Sequence, residues 1–346
     1  MNNIFSGTKT TIQKIFSEIK NIPFYVKLQI RRLKREFTDF RSKLKNITQS
    51  NIDVGIYHLR SGHYNDAILR FKLVDKYLDP NNKIANYRLG WAYLLKKNYD
   101  SALLHLAKAG EEDKIGLMNF IKNVGNIEEI PPKIYSRHRK IRSKFFVDKF
   151  ADEDNNIPFL LIHEFNKAID RLPDEYEILE LGSNIGLLGY EIRKRAQESF
   201  RLSSTEISQE MIDLQSVLYP QRQLYDEILC ISVNDFFINN NKKFDVIFSL
   251  DGFSFTSNLT KIFKNIYSCI NEGGYFAFVI RSTNNVILSP DLLEFSYDSR
   301  EVISELEETG FKILAFKEFN LEIKNKYSIF VCKKIFEEKD HEIETY

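Results

Sequence analysis

Thiols and imidazoles are scarce in this chain. Of its 346 residues only three are cysteine and six are histidine. Cys230, Cys269 and Cys332 form no CxxC pair and lie in apolar runs. A disulfide framework and a thiolate metal site are thereby set aside, and buried thiols in a reducing compartment are expected. The histidines form no ligand set by spacing: His163-Glu164 opens like a zincin helix, but Lys167 stands where the second histidine would be. No metal is expected. The chain also lacks an apolar run of about 18 residues and a signal-peptide pattern at its N-terminus, which argues against a membrane span and against export. The expected location is the cytoplasm.

Net charge is almost absent at +1, yet it is unevenly placed. Residues 1–50 hold eleven Lys or Arg against three Asp or Glu, so this arm carries about +8 and the remainder about −7. Within the arm Ile30, Leu33, Phe37, Phe40, Leu44 and Ile47 recur at helical spacing, with Arg31, Arg32, Lys34, Arg35 and Arg41 largely off that face. Three readings stay open for this basic amphipathic helix: packing on the helices that follow, docking on an acidic partner, or peripheral contact with an anionic membrane surface.

What the chain does have is aromatic and aliphatic mass: 43% hydrophobic residues, with 28 Phe and 17 Tyr, enough for two domains. An internal repeat follows the arm. Gly55, Gly62, Tyr64, Ala67 and Phe71 are echoed about 35 residues later by Gly90, Lys97, Tyr99, Ala102 and Leu106. Small residues where two helices approach, with large ones filling the gap, resemble the tetratricopeptide helix–turn–helix repeat over residues 51–125. A peptide or protein partner on the repeats and a plain helical spacer are both open readings. Pro131-Pro132 then ends the helical pattern, and the basic stretch KIYSRHRKIRSK that follows reads as a solvated linker over 126–145. It lacks the aromatic platform of a nucleic-acid surface, so no nucleic-acid partner is expected.

Residues 146–336 alternate between short apolar runs and helical stretches, ahead of a tail at 337–346. EILELG, FRLSST, EILCISV, FDVIFSL, GYFAFVI, FKILAFKEF and YSIFVCKK predict seven strands of a largely parallel, Rossmann-like α/β sheet. Ligands of such sheets bind beyond the carboxyl ends of the strands. At the first of these ends lies ELGSNIGLLG: Gly182 permits a sharp exit from the strand, Gly186 lets a helix start near a ligand, and Gly189 lets that helix pack on the sheet. Asn184 stands where a glycine would be expected, and Asn is the residue that best tolerates a left-handed backbone in glycine's place.

This stretch resembles the first motif of class I S-adenosylmethionine-dependent methyltransferases, an acidic residue, any residue, then Gly-x-Gly-x-Gly. FDVIFSLDGFSF is similar to the family's fourth-strand motif, INEGGYFAFVI to its fifth strand, and SKFFVDKFADEDNN to the helical cap of small-molecule members. The whole chain resembles tetratricopeptide-containing members related to the trans-aconitate type. The resemblance implies S-adenosylmethionine as cofactor, held by Glu180, Gly182, Ser183, Asn184 and Gly186 at the loop. Glu206 would end the second strand and take the ribose hydroxyls, Ile207 and Met211 would follow it, Ser232 and Val233 would meet the adenine, and Leu250 would stand by the fourth strand. It implies Asp251 as the residue that orients or deprotonates a methyl acceptor, which would be a small molecule or a protein recruited by the repeats. Asn184 and the non-acidic Ser232-Val233 depart from the family pattern and imply weaker cofactor binding. A scaffold that keeps the fold but works through the repeats and the arm is the alternative. The glycine spacing disfavours a nicotinamide oxidoreductase.

Overall fold

The computed structural model describes residues 46–150, 156–170, 172–195, 199–322 and 325–335. The basic arm expected over residues 1–50 lies outside the described residues up to position 45, as does the tail. The chain divides into two compact units, one of residues 1–59 and 63–114, the other of residues 60–62 and 115–346.

The first unit is helical: α1 (46–60), α2 (Tyr64–Leu73), α3 (Lys83–Leu95) and α4 (Tyr99–Ala109). The repeat spacing has a steric basis. A Cβ on Gly55 of α1 would lie 2.5 Å from the Phe71 ring of α2, and one on Gly90 of α3 would lie 2.5 Å from Cγ of Leu106 on α4. Each hairpin thus seats a large side chain against a bare backbone, and Phe71, Ala102, Leu106 and Trp91 are all buried. The two turns also match. Gly62 and Lys97 occupy the same place in the repeat and both have positive φ, 78° and 60°. Asn82 and Asn98 cap α3 and α4 by accepting the amides of Ala85 and Ser101. Between the hairpins runs a buried polar chain, in which Asn86 donates to Asp75 at 2.6 Å and meets Nδ1 of His105 at 2.8 Å. Burial lowers the pKa of His105, and the nearby Lys108 acts in the same direction.

The second unit is α/β. After α5 (Leu117–Lys122), α6 (Pro132–Phe150) and α7 (Ile157–Ala168) come β1 (Glu175–Leu181), α8 (Leu187–Arg195), β2 (Ser199–Glu206), α9 (Gln209–Leu218), β3 (Glu227–Cys230) and α10 (Val233–Asn239). The series continues with β4 (Phe244–Ser249), α11 (Leu259–Cys269), β5 (Ile270–Thr283), β6 (Ile287–Ser289), β7 (Glu294–Asp298), α12 (Ser299–Thr309), β8 (Phe311–Glu322) and β9 (Asn325–Lys334). The main order is β3-β2-β1-β4-β5, all parallel, with β9 antiparallel to β5 and β8 antiparallel to β9. These seven strands match the seven expected. The strand order reverses between β1 and β4, and the crevice at that switch point is where the site is built.

Two features depart from expectation. First, β6 and β7 form a short hairpin that joins the end of β5 through Ser282 and Thr283. A three-residue strand carries too little alternation to be read from sequence. Second, residues 126–145 are not a solvated linker. They include most of α6, and Tyr135, His138, Arg139 and Arg142 on that helix are buried. The segment before α6 is fastened to the loop after β4: Ile130 N–H donates to the Phe255 carbonyl at 2.8 Å and Ser257 N–H to the Glu128 carbonyl at 2.7 Å. Charge-rich composition suggested solvation, but the charges of α6 have partners far along the chain. Among the cysteines, Cys269 and Cys332 are buried as expected, whereas Cys230 is exposed at the end of the outermost parallel strand, β3. No helix among the described residues is long and apolar enough to cross a membrane.

Candidate functional site

The loop after β1 is shaped by close approach. Gly182, with φ 76°, passes so near the loop after β4 that a Cβ on it would lie 2.8 Å from Cα of Gly252. Only glycine fits both the conformation and the gap. The amides of Gly182 and Ser183 donate to the Thr205 carbonyl at 3.1 and 2.9 Å, which ties the loop to the end of β2. Asn184 is left-handed at φ 51°, as its residue type allows. Both of its backbone groups are engaged: its N–H donates to Oε2 of Glu206 at 2.9 Å, and its carbonyl accepts Nε2 of Gln215 at 2.8 Å. Its side-chain Oδ1 is buried and has no hydrogen-bond partner among the described residues.

Glu206 ends β2 and is only 5% exposed. Burial raises its pKa, while Arg139 and the amides of Ser208 and Asn184 pull it down. Its Oε1 accepts the Ser208 amide at 2.9 Å, so each carboxylate oxygen holds one backbone N–H and keeps lone-pair capacity. Opposite lies the start of α10, where Ser232 caps the helix by accepting the Asp235 amide. The cleft between these elements encloses about 500 Å³ of empty space that includes open solvent. Gly182, Asn184, Glu206, Ile207, Ser232, Val233 and Asp251 line it.

Asp251 sits at the far end, in a network the sequence did not announce. Arg139 Nη2 lies 2.5 Å from Asp251 Oδ2, Ser254 Oγ donates to Oδ1 at 2.6 Å, and Tyr135 OH bonds Ser254 at 2.9 Å and also receives Arg139. The Arg139 side chain is 5% exposed. Burial opposes its charge, but Asp251 and Tyr135 outweigh this and hold its pKa well above the ordinary value. Losing either partner of such a buried pair strands the other charge. Tyr135 and Arg139 are four residues apart and so share one face of α6, the only signal in the sequence that could have grouped them.

Five other expected residues, Glu180, Ser183, Gly186, Met211 and Leu250, do not line the cleft. Glu180 is 1% exposed beneath the loop and accepts Tyr225 OH at 2.7 Å. Burial pushes its pKa up to about 8. It therefore holds its proton at neutral pH. Ser183 is buried and accepts Nε2 of Gln215, Met211 packs with Ile185, and Leu250 packs separately against the sheet core. Gly186 is not a lining residue either; with φ 84° it turns the chain into α8. For those with side chains the reason is shared: successive side chains point to opposite faces, and these face the packed interior rather than the cleft.

Residues 154–315 match the family model of a methyltransferase domain. Tyr135 and Arg139, which line the cleft from α6, lie outside the matched residues. No curated protein sequence matches the chain. Solved structures similar to it include an S-adenosylmethionine-dependent methyltransferase from Methanosarcina mazei, 16% identical, covering 51% of this chain and 97% of that one at a TM-score of 0.40. Another from Clostridium acetobutylicum is 16% identical, covering 55% and 99% at 0.42. The N-methyltransferase NodS from Bradyrhizobium japonicum, solved with S-adenosylhomocysteine, is 12% identical, covering 53% and 89% at 0.43.

Proposed function

We propose that this protein is an S-adenosylmethionine-dependent methyltransferase acting on a small molecule, or on a protein brought in by helical repeats of the tetratricopeptide type, in the cytoplasm. The Glu206 carboxylate carries the reading. It closes the second strand, faces the left-handed loop at Gly182–Gly186, and retains acceptor capacity on both oxygens, as a ribose diol requires. The buried, unpartnered Oδ1 of Asn184 fits the same cofactor, which is rich in hydroxyl and ammonium donors. Ser232 and Val233 would border the adenine, as the resemblance implies.

When bound, S-adenosylmethionine supplies an electrophilic methyl group on a sulfonium with a good leaving group. The protein then has chiefly to align an acceptor, since proximity and orientation do most of the work. Asp251 is suited to this. Arg139 and Ser254 hold its two oxygens from opposite sides, so it presents remaining lone pairs in a fixed direction to an acceptor N–H or O–H. Arg139 acts through Asp251 as a positioning residue.

Calorimetry on the full chain should show adenosylhomocysteine binding that Glu206→Ala weakens by at least ~10-fold, the loss of hydrogen bonds to a charged acceptor. Circular dichroism of the variant verifies that it is folded. No binding to folded wild-type protein would sink the proposal and leave the scaffold reading standing.

A further inference from the structure

Outside the cleft, one group of chemistry-bearing side chains is brought together by the fold and used by nothing described so far. His58 lies near the C-terminal end of α1, His63 is the N-cap residue of α2, and Asp66 is in the first turn of α2. Their ligand atoms, one per residue, all lie within 4.8 Å of one another. The backbone sets this up: His63 N–H donates to the His58 carbonyl at 2.9 Å, folding the turn back so that the two rings stand 6.1 Å apart.

None of the three side chains makes a hydrogen bond or ion pair among the described residues. His63 occupies an N-cap position without capping, since its side chain accepts no helix amide. The decisive group is His58, whose Nδ1 is buried and unpartnered. Exposed polar groups can be satisfied by water, but a buried imidazole nitrogen without a partner costs stability. Two imidazoles and a carboxylate converging without protein partners form a ligand set.

We propose that His58, His63 and Asp66 bind a divalent transition-metal ion of the zinc class at the turn between α1 and α2. The donor set decides the class. Two nitrogen ligands suit zinc and its neighbours rather than magnesium or calcium, which favour all-oxygen shells. Three protein ligands leave a fourth position, and the exposure of His63 and Asp66 opens it to water or to a group from a partner. The ion fastens the first helical hairpin across its turn, which adds to the packing of Phe71 on Gly55. The pair His58-x4-His63 comes without the cysteine pair that completes a zinc-finger motif, which is why the sequence did not reveal it.

The test uses the full chain, stripped with chelator and titrated with zinc chloride in a calorimeter. One zinc ion should bind per chain with a dissociation constant at or below the micromolar range. His63→Ala and Asp66→Asn should each weaken binding by at least 10-fold, and magnesium chloride should give no heat at the same concentrations. Both substituted residues are exposed, and unchanged far-UV circular dichroism would show that the fold survives. Zinc binding left intact by both substitutions, absence of binding to wild type, or equal binding of magnesium would each overturn the proposal.

Discussion

Glu180 shows how one buried side chain can write a pH dependence into the fold. Burial raises its folded pKa to about 8, above the ordinary carboxylate value of 4.5. The folded state therefore binds a proton that the unfolded chain has released at neutral pH. With the pKa raised in the folded state, the stabilising effect of that proton is complete below about pH 4.5, declines as pH rises, and is gone above about pH 8. Glu180→Gln keeps an acceptor for Tyr225 and removes the titration. The stability of the variant relative to wild type should accordingly grow between about pH 5 and pH 8, measured by urea unfolding at each pH. A difference that stays constant with pH would show that Glu180 is ionised in the native state. Asn184 carries a different lesson at this scale. Its tolerance of a left-handed turn was legible from residue type, because the preference is local to one backbone. That its amide would hold the Glu206 carboxylate was not, because the partner lies 22 residues away on the next strand.

Among the elements, the helical hairpins owe their repeat to single missing side chains. A Cβ on Gly90 would meet Leu106 at 2.5 Å, so Gly90→Ala must push α3 and α4 apart or displace a buried leucine. Overpacking of this kind costs about 1–3 kcal/mol, partly offset by the roughly 1 kcal/mol by which alanine is the better helix former. A net loss of stability is expected on thermal unfolding. Leu106→Ala opens the space that the new methyl would need. The double variant should therefore be less destabilised than the sum of the two single changes, and strict additivity would show that the contact is not what sets the glycine. The elements themselves were readable because their periodicities are local: seven strands and the hairpin repeat all appear in the pattern. Helix α6 was the exception. A run of basic residues reads as solvated, and nothing near it in sequence says that Arg139 will be neutralised by Asp251, 112 positions later.

At the scale of the whole molecule the chain consists of two compact units, each with its own core, and its single tryptophan is in the helical one. Trp91 is fully buried, so its fluorescence reports the unfolding of that unit. Every residue lining the cleft belongs to the other unit. A ligand at about 100 times its dissociation constant stabilises the state it binds by ~2.7 kcal/mol. Adenosylhomocysteine should then raise the main far-UV transition by a few degrees while moving the Trp91 transition less, and zinc should do the reverse. Equal shifts of both transitions by either ligand would mean that the units unfold as one.

The sequence alone determined the class of this protein: an alternation of strand and helix periods, a glycine-bearing turn after the first strand, and a carboxylate closing the second. Those features are set by backbone preference and by apolar spacing over a few residues, so they survive without knowledge of the fold. The tertiary structure decided which charged groups share a site. It moved Glu180 beneath the loop, brought α6 over the cleft to pair Arg139 with Asp251, and gathered two histidines and an aspartate at one turn. Electrostatic partnership acts through space between residues that the chain keeps apart, and only the packed molecule shows which of them meet.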